Sequence, residues 1–283
     1  MINLPFEIDL KDKVAVVTGA GGVLCSLFAK AIARGGAKVA LLDLNLEAAA
    51  KFAADITVEG GTAKAYAANV LKKETLMEAR EQIRRDFGTC DILVNGAGGN
   101  NPRATTTNEY YLDGDMEKDI TTFFNLDPAG VEFVFNLNFL GTLIPTQVFA
   151  EDMLGKEDAC ILNVSSMNAF TPLTKIPAYS GAKAAVSNFT QWLAVHFSKA
   201  NIRVNAIAPG FFVTAQNQAL LFDEAGNPTA RTAKILNSTP MGRFGEAEEL
   251  IGSLLFLLSK PAAGFITGVV IPVDGGFSAY SGV

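Results

Sequence analysis

Short apolar runs alternate with longer helical patterns along most of the chain, and this alternation constrains the fold more than any other feature. The runs are almost continuously apolar, which is typical of parallel strands covered on both faces. The helical patterns between them imply βαβ units with right-handed crossovers. Strands are predicted at 14–18, 38–43, 63–67, 91–95, 160–165, 203–208 and 269–273, and helices at 47–59, 73–87, 142–153, 179–199 and 246–258. The sequence therefore predicts an α/β fold with a doubly wound parallel sheet of about seven strands and helices on both faces.

Length and composition favour a single domain over residues 1–283, since 49% hydrophobic residues can form a sizeable core and no internal repeat or linker interrupts the chain. The net charge of −6 argues against nucleic acid as a partner. The longest apolar run, near 254–258, is too short to cross a membrane. No secretory signal is visible, and three scattered cysteines fit a reducing cytoplasm. A single histidine and the lack of a CxxC motif argue against a protein-built metal site.

Two long segments, 99–135 and 211–245, interrupt the alternation. Both follow predicted strands, and open α/β sheets bind ligands at the carboxyl ends of their strands. Long loops in a compact domain are usually functional or disordered. We expect these segments to form a substrate lid, with an oligomer contact as the alternative.

The glycine-rich stretch TGAGGVLC, residues 18–25, lies between the first predicted strand and a helix. Gly19, Gly21 and Gly22 would let main-chain N–H groups approach a pyrophosphate, with Val23 and Leu24 at the start of the helix. The helix N-terminus would favour the negative charge of the phosphates. The alternative is an ordinary turn between a strand and a helix. A glycine loop alone does not decide between the two.

The second predicted strand ends in Asp43, about 20 residues after the glycines, where an acidic residue binds the adenosine ribose of a dinucleotide. Its carboxylate would accept from the ribose hydroxyls and repel a 2′-phosphate. Leu44 and Asn45 follow, so no arginine is present there for NADP. The sequence therefore predicts NAD, and the alternative role for Asp43 is a helix N-cap.

Polar and small residues follow two further strands and complete the predicted dinucleotide crevice. Asn69 could hydrogen-bond the adenine, and small residues after the fourth strand would leave room for the cofactor. The candidate cofactor contacts in these two places are Asn69, Val70, Asn95, Gly96, Ala97 and Gly98.

The stretch SSMNAFTPLTKIPAYSGAK, residues 165–183, carries the most specific catalytic signal. Tyr179 and Lys183 are four residues apart and therefore share one helix face. Ser166 lies thirteen residues before Tyr179, at the end of the fifth predicted strand. Tyr179 would exchange a proton with the substrate oxygen, and Ser166 would orient the carbonyl. Lys183 and the positive nicotinamide would together favour the phenolate form of Tyr179, and Lys183 would also bind the nicotinamide ribose.

At this point the chain resembles the short-chain dehydrogenase/reductase family over nearly its full length. The matching stretches are TGAGGVLC at 18–25, NGAG at 95–98, NLNFLGT at 136–142, YSGAK at 179–183, IRVNAIAPG at 202–210 and PVDGG at 272–276. The resemblance implies a Rossmann-type fold and a catalytic tetrad of Asn138, Ser166, Tyr179 and Lys183, with Asn138 holding a water that relays protons from Lys183. It also implies a homotetramer, paired through helices equivalent to 142–153 and 179–199, and cofactor contacts after the sixth strand at Pro209, Gly210, Phe212 and Thr214.

The chain departs from the usual family pattern at four positions. Glycine is usual where Val23 and Cys25 stand, aspartate where Asn69 stands, and asparagine where Gly96 stands. Because Cys25 is small and Gly21 and Gly22 are retained, we expect the loop to bind NAD nevertheless.

Within the family, the chain resembles most a branch that interconverts a six-carbon sugar acid and its keto form. Such a substrate needs hydrogen-bonding groups and a cation. The candidates are Asn100, Asn101, Arg103, Asn168, Lys175, Gln216 and Asn217, of which Arg103 or Lys175 could bind the carboxylate; both could equally be solvated surface cations. The alternatives are another NAD-dependent polyol or sugar-acid dehydrogenase and a non-catalytic NAD-binding protein.

Overall fold

The computed structural model describes residues 8–213, 221–223 and 227–282. It contains a seven-stranded sheet in the order β3-β2-β1-β4-β5-β6-β7, in which every neighbouring pair is parallel. The strands are β1 Val14–Thr18, β2 Lys38–Asp43, β3 Thr62–Ala67, β4 Ile92–Asn95, β5 Ala159–Val164, β6 Ile202–Pro209 and β7 Val270–Val273. The predicted α/β fold is confirmed, and each predicted strand lies within one residue of the observed bounds.

Helices cover both faces of the sheet. They are α1 Val23–Arg34, α2 Leu46–Val58, α3 Lys73–Asp86, α4 Pro128–Phe135, α5 Gly141–Phe149, α6 Pro177–His196, α7 Ala230–Asn237, α8 Glu249–Leu258 and α9 Lys260–Ala263. One core cluster contains α1, α2 and α8, and the other contains α3, α5 and α6. Successive β1 residues alternate between the two clusters, because side chains of a strand point to opposite faces.

The two edge strands differ from the predicted pattern of continuous burial. In β3 only Tyr66 is buried, and no residue of β7 is fully buried. The central strands β1 and β4 are buried throughout. An edge strand has a neighbour on one side only, so part of it faces solvent and polar residues such as Lys64 are tolerated there.

A continuous helical stretch, Pro128–Met153, contains α4, a π-helical turn at Asn136–Leu140, and α5. By length and composition this stretch alone, among the described residues, could cross a membrane, but half of its most apolar window is buried inside the protein. It contributes Val148, Phe149 and Met153 to the core below the sheet. The stretch is therefore a core helix of this fold.

The segment 99–135 contains short 3-10 turns and α4 rather than an irregular loop. The buried carboxylate of Asp115 organises its middle part, accepting hydrogen bonds from Asn108 Nδ2, Leu112 N and Lys118 Nζ at 3.0, 3.0 and 2.9 Å. These donors hold the pKa of Asp115 at about 2, with Lys118 the largest cause. The segment thus has a fixed structure held by side chains.

Candidate active site

The glycine loop leaves the helix start without a side-chain cap. Gly22 is the N-cap of α1 and makes no side-chain hydrogen bond, so the first N–H groups of α1 remain for a ligand. Gly19 has φ +69°, and a Cβ there would lie 2.8 Å from Ala97 Cα. Only glycine fits this close approach of β1 to the end of β4. The loop therefore has the shape and the free donors that a pyrophosphate requires.

The carboxylate of Asp43 lies directly beside this loop. Its Oδ2 accepts from Gly21 N at 2.9 Å, and its Oδ1 accepts from Asn45 N at 2.8 Å. The N-cap of α2 is Asn45, whose Oδ1 accepts from Ala48 N at 3.1 Å. The alternative reading of Asp43 as the N-cap is therefore wrong. Its place at the end of β2 beside the glycine loop fits binding to a ribose.

Two departures from the family pattern compensate each other in space. A Cβ at Gly96 would overlap Cys25 Sγ, so the thiol fills the volume that a side chain at 96 would need. Burial raises the pKa of the Cys25 thiol to about 12, which keeps it neutral beside the phosphate loop. Cys25 on α1 and Gly96 after β4 therefore form one packing unit.

The residues after β3 and β4 take different parts in the crevice. Asn95 is buried and its Nδ2 donates to Thr146 Oγ1 and Asn163 Oδ1, both at 2.9 Å. Its side chain is therefore used within the core, and its role as a cofactor contact stays a prediction. Asn69 lies two residues beyond β3, and its Oδ1 accepts from Leu71 N at 2.9 Å.

Gly210, the residue after β6, lies very close to the residue that follows β7. The approach is as close as that of Gly19 to Ala97 after β4. A Cβ at Gly210 would lie 2.6 Å from Asp274 Cα, and Gly210 N donates to Val273 O at 2.9 Å. Phe212 is buried and pairs with Gly245 in an isolated parallel bridge. Thr214, Gln216 and Asn217 lie outside the described residues.

The predicted catalytic residues converge at the ends of β4 and β5. Lys183 is buried, and its Nζ donates to Val164 O at 2.8 Å and lies 5.6 Å from the Tyr179 ring centre. Ser166 lies near enough to the Tyr179 phenol to lower its pKa. A Cβ at Gly98 would lie 2.6 Å from Asn138 Oδ1 and 3.2 Å from Lys183 Nζ. All four predicted residues therefore surround one point at the mouth of the crevice.

Burial shifts the pKa values of two residues of this cluster, Tyr179 and Lys183. Burial raises the pKa of Tyr179, and Ser166 only partly opposes this rise. Burial also lowers the pKa of Lys183 to about 8. The raised pKa favours the protonated form of the Tyr179 phenol. The lowering of the phenol pKa that we expect from Lys183 together with the positive nicotinamide stays a prediction.

Asn138 lies in the π-helical turn, and π-bulges are frequent at functional sites. Its Nδ2 donates to Gly99 O and Val134 O at 2.7 and 2.8 Å, and its Oδ1 accepts from Gly99 N at 3.2 Å. The side chain thus fixes the first residues after β4 against the helix. Its role in a water relay stays a prediction.

Some of the candidate substrate residues have side chains that already bond to other residues of the protein, and others do not. Arg103 forms an ion pair with Asp127 at the start of α4, and Asn100 Nδ2 donates to Thr105 Oγ1 at 3.0 Å. Asn101 Oδ1 accepts from Arg103 N at 2.9 Å. The ion pair makes Arg103 less available to a substrate, and its role as a substrate contact stays a prediction. Lys175 is half-buried between Ser166 and Tyr179 along the chain.

Sequence reasoning did not find the link between the two long segments. Lys234 Nζ of α7 lies 2.6 Å from Glu109 Oε1, and this pair lowers the pKa of Glu109, with a smaller effect of Lys175. No local sequence signal connects positions 109 and 234. Among the described residues, no group of three or more His, Cys, Asp or Glu side chains could hold a metal ion.

This geometry is that of an oxidoreductase that acts on alcohol groups with a bound dinucleotide. A sequence profile described as short chain dehydrogenase matches residues 13–225. The chain therefore belongs to the short-chain dehydrogenase family.

Three relatives resemble the protein over nearly its whole length. A protein of Haemophilus influenzae, proposed to be a D-mannonate oxidoreductase, has a crystal structure with bound NAD. Its sequence is 65% identical to this chain, and the alignment covers 99% of this chain and 100% of that chain with a TM-score of 0.95. The uncharacterized oxidoreductase UxuB of Bacillus subtilis is 48% identical over 99% of this chain and 100% of its own. Gluconate 5-dehydrogenase of Gluconobacter oxydans is 31% identical over 97% of this chain and 98% of its own.

Proposed function

We propose that the protein interconverts D-mannonate and D-fructuronate with NAD(H). The observation that carries this proposal is the 65% identity, across the whole chain, to the Haemophilus influenzae protein proposed to be a D-mannonate oxidoreductase. The prediction of NAD as the cofactor is confirmed by the NAD bound in that relative. The free N–H groups of α1, the glycine approaches and Asp43 would hold the pyrophosphate and the ribose.

Proton transfer falls to Tyr179. In the reductive direction its phenol donates to the carbonyl oxygen as that oxygen gains negative charge, and Ser166 supplies a hydrogen bond to the same oxygen. In the oxidative direction the phenolate takes the hydroxyl proton. When bound, NAD(H) supplies or accepts the hydride at the substrate carbon.

Lys175 is the cation that we assign to the substrate carboxylate. It lies on the loop that joins Ser166 to Tyr179, and its main-chain O accepts from Thr106 N of the segment 99–135 at 2.9 Å. Arg103 is paired with Asp127 and is therefore less available. A charge-assisted hydrogen bond from Lys175 would separate a sugar acid from an uncharged sugar.

The second candidate function is a gluconate-type dehydrogenase, which the 31% identity to gluconate 5-dehydrogenase favours. Both candidates use the same proton transfer, so they differ only in substrate contacts. A non-catalytic NAD-binding protein is disfavoured because Ser166, Tyr179 and Lys183 remain together. We further infer a location in the cytoplasm, since Cys25, Cys90 and Cys160 are free and buried.

The proposed homotetramer would form through the surface of α5 and α6. A groove of about 700 Å³ runs between them, lined by apolar residues that include Phe139, Leu143, Phe189 and Trp192. Trp192 is 56% exposed in the single chain. An exposed apolar groove of this size marks an interaction surface. Trp192→Glu should shift the oligomer toward smaller species in sedimentation, whereas an unchanged mass would contradict this interface.

Oxidation of NADH across a panel of ketoses and keto acids tests the substrate. We expect kcat/KM for D-fructuronate to exceed that for 5-ketogluconate and for uncharged fructose, with Tyr179→Phe as the blank for background oxidation. A preference for 5-ketogluconate would favour the second candidate. Equal use of fructose would contradict the sugar-acid proposal and leave a general alcohol oxidoreductase.

A further inference from the structure

Asn168 carries a buried amide that makes no side-chain hydrogen bond within the described part of the chain. The residue is 5% exposed, and its Oδ1 has no partner. Asn163 and Asn205, which are also buried, are bonded at both ends of the amide. Asn95 also leaves its Oδ1 without a partner, but its Nδ2 donates two hydrogen bonds. A buried polar group without a partner is costly, so native structures rarely keep one without a reason.

The position of Asn168 connects it to the reacting oxygen. It is the second residue after Ser166, in the short 3-10 helix Met167–Ala169, and its main-chain N donates to Ser166 Oγ at 3.3 Å. That short helix packs against α6, which carries Tyr179 and Lys183. The amide is therefore a neighbour of the place where Ser166 and Tyr179 hold the substrate oxygen.

We propose that the Asn168 side chain binds the hydroxyl on the carbon next to the reacting carbon. In a vicinal diol or an α-hydroxyketone, the two oxygens lie within reach of adjacent hydrogen-bonding groups. Ser166 and Tyr179 bind the first oxygen, and the carboxamide accepts from the second. The amide oxygen accepts, so it recognises a hydroxyl, which has a proton to donate, and not an ionised carboxylate, which has none. The site is thereby specific for α-hydroxyketones and vicinal polyols over simple ketones and secondary alcohols.

This inference rests on the proposed function only for the identity of the acid, because hydroxyl recognition applies equally to an uncharged polyol. A site built to hydrogen-bond a hydroxyl rejects an analogue without it, since its polar group then stays unpaired. For one neutral hydrogen bond and one unpaired amide we expect about a 10- to 100-fold preference in kcat/KM.

The test compares a hydroxylated substrate with its analogue deoxygenated at the adjacent carbon, using one pair with a carboxylate and one without. Wild-type protein should prefer the hydroxylated member of a pair about 10- to 100-fold. Asn168→Leu keeps the side-chain volume and removes the amide. It should abolish the preference by lowering kcat/KM for the hydroxylated member alone, while NADH binding stays unchanged.

Ser165→Ala is the matched control. Its Oγ accepts or donates toward Ser187 Oγ at 2.7 Å and donates to Lys183 O at 3.1 Å, so it belongs to the contact with α6 rather than to the pocket. This variant should leave the ratio between the two substrates unchanged. The proposal is overturned if Asn168→Leu lowers both rates equally, or if wild-type protein does not distinguish the members of either pair. Failure of the sugar-acid proposal alone would instead remove activity on the carboxylate pair and keep the hydroxyl preference on the uncharged pair.

Discussion

The proposed cofactor side of the molecule, residues 14–98, and the proposed substrate side, residues 99–135, are held together by different means. On the cofactor side the fit depends on missing side-chain atoms, as where Gly19 approaches Ala97 and Gly96 makes room for Cys25. On the substrate side it depends on polar side chains, as around Asp115 and in the pair of Glu109 with Lys234. A close fit of the backbone leaves little tolerance for a substitution, whereas one polar side-chain contact can be replaced by another. We therefore expect cofactor binding to be sensitive to the addition of a single side-chain atom, and substrate specificity to depend on polar side chains that can be replaced.

The largest effect is expected where the two sides meet. Tyr179→Phe should lower kcat by a factor on the order of 10² to 10⁴, because positioned acid catalysis is lost, and should leave NADH binding intact. Single-turnover kinetics and a fluorescence titration of NADH measure the two quantities. Tyr66→Phe is the control, because Tyr66 lies in the edge strand β3, away from the catalytic residues, and its hydroxyl donates to Asp86. Full turnover by Tyr179→Phe would remove the phenol from the mechanism.

A side chain placed at Gly96 tests the rigidity of the cofactor side. Gly96→Asn should weaken NAD binding about 5- to 150-fold, because the new side chain overpacks against Cys25 Sγ. The double variant with Cys25→Gly should regain most of the affinity, as measured by calorimetric titration in a double-mutant cycle. Strictly additive losses would show that the two positions do not share one volume.

Asp43→Ala should reduce the preference for NAD over NADP about 10- to 100-fold, because a charge-assisted contact to the ribose is lost together with the repulsion of a 2′-phosphate. The ratio of kcat/KM values for the two cofactors measures it. Asp55→Ala, on the exposed face of α2, should leave the ratio unchanged. An unchanged ratio in Asp43→Ala would place the ribose elsewhere.

On the substrate side, Lys175→Met should lower kcat/KM for D-fructuronate about tenfold and leave an uncharged ketose unaffected. Arg103→Met should have the smaller effect, because its guanidinium is already paired with Asp127. Steady-state assays on both substrates provide the comparison. A larger loss in Arg103→Met would show that the ion pair opens to bind the acid.

The last prediction concerns stability. Burial lowers the pKa of Lys183 to about 8, below its value of about 10.5 in an unfolded chain. Between these pH values the unfolded chain binds the proton that the folded chain has lost, so the contribution of Lys183 to stability rises with pH. Relative to Lys183→Met, the free energy of unfolding of wild type should rise by at most about 1.4 kcal/mol per pH unit. A difference that falls across this window in urea titrations would contradict the direction of the shift.

The fold and the catalytic cluster could be predicted because their signals are local. A doubly covered parallel strand is apolar along its length, and Ser166, Tyr179 and Lys183 have a fixed spacing on one strand and one helix. The compensation between Cys25 and Gly96 could not be predicted, nor could the pair of Glu109 and Lys234. Each depends on two residues far apart in sequence that only the folded sheet brings into contact. The same holds for Asn95, whose amide is used by Thr146 and Asn163 of the core.

The three buried thiols have a consequence for measuring motion. Burial raises the pKa of Cys25 to about 12 and of Cys160 to about 11, and it raises the pKa of Cys90 as well, so none is a reactive thiolate in the native protein. An alkylating reagent can reach each thiol only during an opening of its surroundings. Cys25 would report the breathing of the nucleotide loop, and Cys90 and Cys160 that of the central sheet. Bound NAD should slow the alkylation of Cys25 more than that of the other two cysteines. The alkylation rate of Cys25 would therefore measure how often the cofactor crevice opens.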